Sequence, residues 1–522
     1  MTRLSVSCGM IIMGLLLPLP VLSGISNPDI YLPQTGLEGC MDENMNQICC
    51  GGTGQDADIR AGKVIPAPRF NDYGDGTVRD NLTGLVWLKD ANCIKTRYSA
   101  FDTDDTHGDG MVTWQHALDF VAGINAGLYP DCGAGHTDWR MPNIRELASL
   151  VDVRFMSPSL ANGDGSGQWL TGDPFTGLPL DQIRQGYWSS TPVSDDTLDR
   201  VLTVEFSLGG SASFPHDTSH FLWPVRGEGS NTSTVELPAT GMTTSFYSGD
   251  DGDLQKGVSL PRPRFDGDGN GNITDKLTEL IWLKDANCIK THYPEFDRDG
   301  TPGDGMVTWQ HALDFVAGIN AGLYPDCGAG HTDWRLPNLW ELLSLVNFNY
   351  RLPALSNAYG HAHWSENNAF AHVDNRPYWT STPGAWPVEA SAWSINMASG
   401  DFSQDHVDYT SNVWPVRGGI TGSSHDLTVT LRGNGRGTVI SSPDGIDCGA
   451  DCCSAYRRGR YVRLTATPEK GSVFQGWEGD AECSNGRFTM NSDKNCTARF
   501  RKIFPWPAII PVITMDRGGG HP

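Results

Sequence analysis

Positive charge is scarce in this sequence. Its 38 Lys and Arg stand against 61 Asp and Glu, a formal net charge of −23. That excludes nucleic acid or a polyanionic surface as the general partner. Long hydrophobic runs are equally rare. Beyond residue 26 no stretch is long enough to span a bilayer. Ile503–Met515 is apolar but short, and is broken by Pro505, Pro507 and Pro511. Catalytic signatures are missing too: no H-E-x-x-H, G-x-S-x-G, Walker loop or dinucleotide fingerprint occurs. What is abundant excludes disorder, since 17 Trp, 14 Tyr and 19 Phe need packed cores. With 61 Gly and 32 Pro those cores belong to loop-rich folds, and 522 residues suggest about three domains.

Met1–Ser26 carries one early cation, Arg3, then an apolar run from Met10 to Leu22 that ends in small residues. This is the pattern of a secretory signal peptide over 1–26, with a retained anchor as the alternative. Export implies an oxidising compartment (secreted, periplasmic or cell surface) in which cysteines pair. Removing Cys8 with the signal leaves an even number from the 13 Cys, as a disulfide framework requires.

The chain repeats itself. Gly108–Arg140 recurs unchanged at Gly303–Arg335, a shift of 195 residues, and Trp87–Thr96 recurs at Trp282–Thr291. Tyr187–Thr191 matches Tyr378–Thr382, and Trp223–Arg226 matches Trp414–Arg417. Both copies open on an LPxTG string, Leu32–Gly36 and Leu237–Gly241. Such strings resemble a sortase sorting signal, but neither lies near the C-terminus before an apolar span, so they read as repeat-opening strands. Two tandem domains follow, 32–228 and 237–419, joined by a polar linker 229–236.

Within a repeat, Trp114, Ala117, Leu118 and Val121 form a stripe of helical period over Thr113–Ala126. Thr113 suits the N-cap and Gly127 the stop. A second helix starts at Asn143, where Glu146 completes a capping box and Ile144, Leu147, Ala148 and Val151 make the buried face. Short strands follow, such as Val201–Phe206 and Leu222–Arg226. The expected class is α+β, with Trp87, Trp139, Trp188 and Trp223 as core aromatics. Cys93 and Cys132 are 39 apart, as are Cys288 and Cys327, which suggests one bridge inside each repeat. Closing such a loop stabilises by roughly 4 kcal/mol in the chain-entropy view. An insert peculiar to repeat 1 adds Cys40, Cys49 and Cys50, one of which is expected to reach another domain.

Two acidic clusters are candidate calcium sites. The first is Asn71–Gly76, matched by Asp266–Gly271. The second, favoured, is Asp102, Asp104, Asp105 and Asp109, matched by Asp297, Asp299 and Asp304. Clustered carboxylates and loop carbonyls supply the hard oxygens Ca²⁺ needs, although Asp-Gly runs are also ordinary turn chemistry. The EF-hand pattern fails, because Leu277 stands where its closing Glu belongs. No other cofactor is expected. His116, His136, His311 and His331 recur without a catalytic pattern and read as solvated or structurally bonded.

With these residues in place, both repeats resemble the C-terminal domain of the Legionella collagen-like adhesin. The resemblance rests on Pro68–Phe70 and Pro263–Phe265, Asn71–Trp87, Asp138–Val151, Tyr187–Thr191 and Pro224–Arg226. It implies two C-type-lectin-like domains that bind and adhere rather than catalyse. A glycosaminoglycan ligand is not carried over, since a charge of −23 lacks the basic surface it would need.

Residues 426–502 change character, with strand-like runs between Gly and Pro turns, and read as a small all-β module. Gly437–Cys452, Leu464–Asp480 and Cys496–Phe500 resemble the divergent internalin-type B-repeat, which implies a β-grasp-like fold. Bridges Cys448–Cys452 and Cys483–Cys496 are expected there. That leaves Cys453 with Cys40, Cys49 and Cys50, their pairing open, and a loose tail 503–522. The sequence thus describes an exported, non-enzymatic protein recognising a glycan or protein ligand. A secreted enzyme and a structural spacer are the alternatives.

Overall fold

The computed structural model describes residues 29–503 except 43–45, 181, 194–198, 228–232, 386–389, 420–423, 443–444, 449–451 and 458–460. The signal segment 1–26, the first half of the linker and the tail from 504 lie outside the described residues.

Each repeat is built from two small antiparallel sheets and one longer helix. In repeat 1, Phe70–Asp72, Thr77–Asp80, Val86–Leu88 and Val225–Arg226 pair in that order, so the closing PVR strand zips onto the strand carrying Trp87. The first hairpin turns through Tyr73–Gly76, where Gly74 and Gly76 take φ of 76° and 97°, a region that suits glycine. A second sheet joins Tyr187–Pro192, Arg200–Val204 and Ser211–Pro215. Repeat 2 reproduces both sheets.

The Tyr187–Pro192 strand is buried along its whole length although half of it is Ser and Thr. Ser189 Oγ donates to Leu202 O at 2.7 Å and Trp188 Nε1 donates to Val112 O at 2.8 Å, while the buried Tyr187 hydroxyl has no hydrogen-bond partner among the described residues. Trp87, Trp139, Trp188 and Trp223 are all core residues.

The helix Trp114–Asn125 buries its stripe, and the capping box of Asn143 and Glu146 is formed. The Thr113 hydroxyl makes no capping bond. Instead the Asp104 carboxylate accepts from Thr113 N and also holds His116 at 2.8 Å. The expected α+β, C-type-lectin-like class does not hold. Strands make up about 30% of the chain and helices 15%. The short strands close locally into separate small sheets, and no described helix is longer than the 12 residues of Trp114–Asn125 and Trp309–Asn320.

The two repeats share one continuous core, and their openings are exchanged. The short helix Asp56–Ile59 belongs to the opening of repeat 1 but packs on repeat 2, where Thr382 Oγ1 donates to Asp56 Oδ2 at 2.7 Å and Asn338 Nδ2 donates to Ala61 O. The equivalent helix Asp251–Leu254 belongs to the opening of repeat 2 and packs on repeat 1 through Thr191 and Asn143, by the same bonds to Asp251 and Lys256 O. Leu32, Pro33, Leu237 and Pro238 of the two LPxTG openings line a single small cleft between the repeats. At the outer edge, Ser211–Pro215 meets Phe402–His406, with Ser211 Oγ accepting from Phe402 N, so each edge strand covers the other.

The C-terminal module is two four-stranded sheets over a separate core. Its first strand, Ser424–Gly433, runs parallel to its last, Lys494–Lys502. Among the described residues it contains no α-helix, so the β-grasp expectation is also corrected. Cys49 bonds Cys453 and fastens this module to the arm of repeat 1.

Candidate functional site

The polar residues of the recurring motifs mostly hold the scaffold. Arg69 of PRF donates to both oxygens of Asp80, at 2.8 and 3.0 Å, and to Ser149 O, with both side chains essentially inaccessible. Arg264, Asp275 and Ser344 O repeat this in the second copy. Arg140 grips Glu146 of the capping box, as Arg335 grips Glu341. Arg226 of PVR closes onto Asp138 at 2.7 Å. The pairs of Arg69, Arg264, Arg140 and Arg335 are buried and fix register, so breaking one strands a charge, whereas Asp138 of the Arg226 pair is exposed.

The acidic loop favoured for calcium is tied to its own backbone. Asp102 Oδ2 accepts from Gly110 N at 2.8 Å, Asp109 Oδ1 from Met111 N at 2.8 Å, and Asp104 caps the helix; Asp105 is exposed. In the second copy Asp297, Asp304 and Asp299 accept from Gly305, Met306 and Thr308 in the same way. Burial, with the charge of Asp102 nearby, raises the Asp109 carboxyl above its usual range. Among the described residues no three of these carboxylates converge closely enough to share an ion. The first cluster is turn chemistry: Asp72 accepts from Gly74 N, Asp75 from Thr77 N, and Asp268 from Asn270 N. His116 and His311 pair with Asp104 and Asp299, while His136 and His331 lie edge-on to Trp139 and Trp334.

The cysteines form six pairs: Cys40–Cys50, Cys49–Cys453, Cys93–Cys132, Cys288–Cys327, Cys448–Cys452 and Cys483–Cys496.

The residues that sequence reasoning missed are at the seam. Asp56 and Asp251 are each 2% exposed, and burial raises their carboxyls to about 6 and about 7. They stand 195 residues apart, the shift of the repeat itself, which is the signal that could have singled them out. Buried Arg145 crosses the seam and donates to Leu343 O and Val346 O at the C-terminus of the helix Leu339–Leu345, where a cation is favoured. Burial, with Arg264 nearby, pulls its guanidinium down to about 9.

A carboxyl raised on folding stabilises fully below its unfolded value, near 4, and loses that contribution as pH rises through the folded value. The seam therefore tightens on mild acidification. We expect the parent protein to gain several degrees in melting temperature between about pH 8 and pH 5.5 relative to the double variant Asp56→Asn, Asp251→Asn, which keeps an acceptor for each threonine without titrating. Parallel pH profiles in calorimetry would contradict this.

A family model described as Lcl C-terminal domain matches residues 76–226 and 271–417, together more than half of the chain. The chain belongs to the Lcl C-terminal domain family. Both Lcl matches begin after the openings, so the exchanged arms lie outside the matched segments. A divergent InlB B-repeat domain follows at 427–504. No curated protein and no solved structure matches the chain. Lcl C-terminal and InlB B-repeat domains together fit a bacterial surface protein of adhesin type, and with six disulfides they fit an extracellular one. Among the described residues no helix is long and apolar enough to cross a membrane.

Proposed function

We propose that this chain is an exported adhesin-type protein that engages a glycan or protein on a surface with both repeats at once. The observation that carries the reading is the reciprocal exchange of arms, which holds two copies of one fold in a single body with a shared core. Two binding faces fixed in one geometry meet a repeated ligand at high effective concentration, without the entropy of a loose tether. Export is supported by the Met1–Ser26 pattern and by the disulfides. Binding rather than catalysis is supported by the employment of the motif residues in buried ion pairs and caps. The formal charge of −23 favours neutral or cationic ligands. Calcium is not required in this reading, because one carboxylate oxygen each of Asp102, Asp104 and Asp109 already accepts a backbone N–H.

The test is retention of the full mature chain on a glycan array and on immobilised cell-surface protein, each at low and high ligand density, with and without EDTA. Retention that rises more steeply than density and survives EDTA is the expected result. Proportional retention would remove the bivalent reading, and no retention on either surface would favour a spacer.

A further inference from the structure

One buried arginine at the seam has no carboxylate to itself. Arg69, Arg140, Arg264 and Arg335 are buried too, and each grips an Asp or Glu. Arg145 is 5% exposed, and the groups it touches are neutral: the carbonyls of Leu343 and Val346, and the face of Phe348 5.4 Å away. The acids that act on it from a distance are Asp251 and Asp275, which are already engaged by Thr191 and Arg264. Arg264 adds a repelling charge of its own. The remaining nitrogen of Arg145, Nε, is buried without a hydrogen-bond partner among the described residues. A helix C-terminus supplies only about half an elementary charge, so the guanidinium is offset in part.

Arg145 also lines the cleft between the repeats. The free volume there is about 40 Å³, which admits one small ion or a few waters and excludes a sugar ring or a peptide. Leu32, Pro33, Ile65, Leu237, Pro238 and Leu343 make its wall largely apolar. Two other charged residues reach the lining, and both are cancelled, Arg69 by Asp80 and Asp152 by Arg154. The cleft therefore carries one net positive charge. The sister repeat shows that the fold does not demand it: the position 195 residues on is Trp340, which lines the same cleft with an uncharged ring.

We propose that this cleft is a binding site for one monovalent anion of the halide type, held between the repeats by the Arg145 guanidinium. A buried cation without a counter-charge is costly, and an anion beside it removes that cost. The guanidinium, drawn down to about 9, keeps its charge at neutral pH. Size and wall select the ion. Chloride and bromide are small, singly charged and weakly hydrated, so they give up water to an apolar wall more readily than a carboxylate or a phosphate does. The bound ion joins both halves, because Arg145 belongs to repeat 1 and the carbonyls it holds belong to repeat 2.

The experiment is thermal unfolding of the full mature chain at pH 7, with sodium chloride replacing sodium gluconate at constant ionic strength. General screening of the charge of −23 then stays fixed. The parent should gain roughly 3 °C at chloride about 100-fold above its dissociation constant, and the gain should saturate. Arg145→Met keeps a side chain of similar length without the charge, and should melt alike in both salts. A parent that melts alike in both salts, or a variant that gains as much as the parent, overturns the proposal. Crystals of the parent grown in sodium bromide give a reading that needs no variant. Anomalous scattering should place bromide in the cleft beside Arg145, and a cleft without bromide overturns the proposal as well.

Discussion

Produced alone, residues 237–419 should not persist as a folded monomer. This fragment lacks the arm that carries Asp56, so Thr382 and Asn338, which are buried in the whole chain, lose their partners. Its own arm, with Asp251, has no repeat 1 to dock on. Because the two arms make the same bonds, two copies of the fragment can satisfy each other by swapping arms across a two-fold axis. Light scattering after size exclusion should find a dimer, with little folded monomer at any concentration. A stable monomer with native circular dichroism would contradict the exchange.

Arg264→Met should lower the unfolding free energy by about 3–5 kcal/mol, because it leaves a buried carboxylate without its counter-charge. Arg264 and Asp275 are both fully inaccessible, and the guanidinium also satisfies Ser344 O. Adding Asp275→Leu should restore most of the loss, since an apolar pair of similar volume costs little in such a place. Chemical denaturation of the single and double variants checks both. If the single variant loses less than about 1 kcal/mol, the pair is not the clamp described here.

How much of this was legible depends on how local each feature is. The duplication, the helical stripe from Trp114 to Val121 and the Asn143–Glu146 capping box are patterns of neighbouring residues, and the folded chain contains them. The buried tryptophans follow from their size. The sheet architecture was not legible, because short strands do not say which partner they take; the helix and strand patterns suggested an α+β class and the resemblance a lectin-like body, and the strands instead close into separate small sheets. Nor was the exchange. Thr191 and Thr382 sit in nearly identical strands, so the arm with Asp56 is locally as well suited to its own repeat as to the other. The acidic loop is ambiguous for a similar reason: aspartates among glycines suit calcium and backbone capping equally until the N–H groups are placed. Cys49 could not be assigned to Cys453 from four leftover cysteines, since the pairing depends on where the C-terminal module docks.

The most direct measurement of whether two repeats form one body is hydrogen exchange, followed peptide by peptide, in the full chain carrying Arg264→Met. That substitution lies in repeat 2. If the shared core and crossed arms make the halves open together, exchange should accelerate by the same factor in Tyr187–Pro192 of repeat 1 and in Pro377–Pro383 of repeat 2. Acceleration confined to the second strand, with the first protected as in the parent, would mean that the repeats open independently.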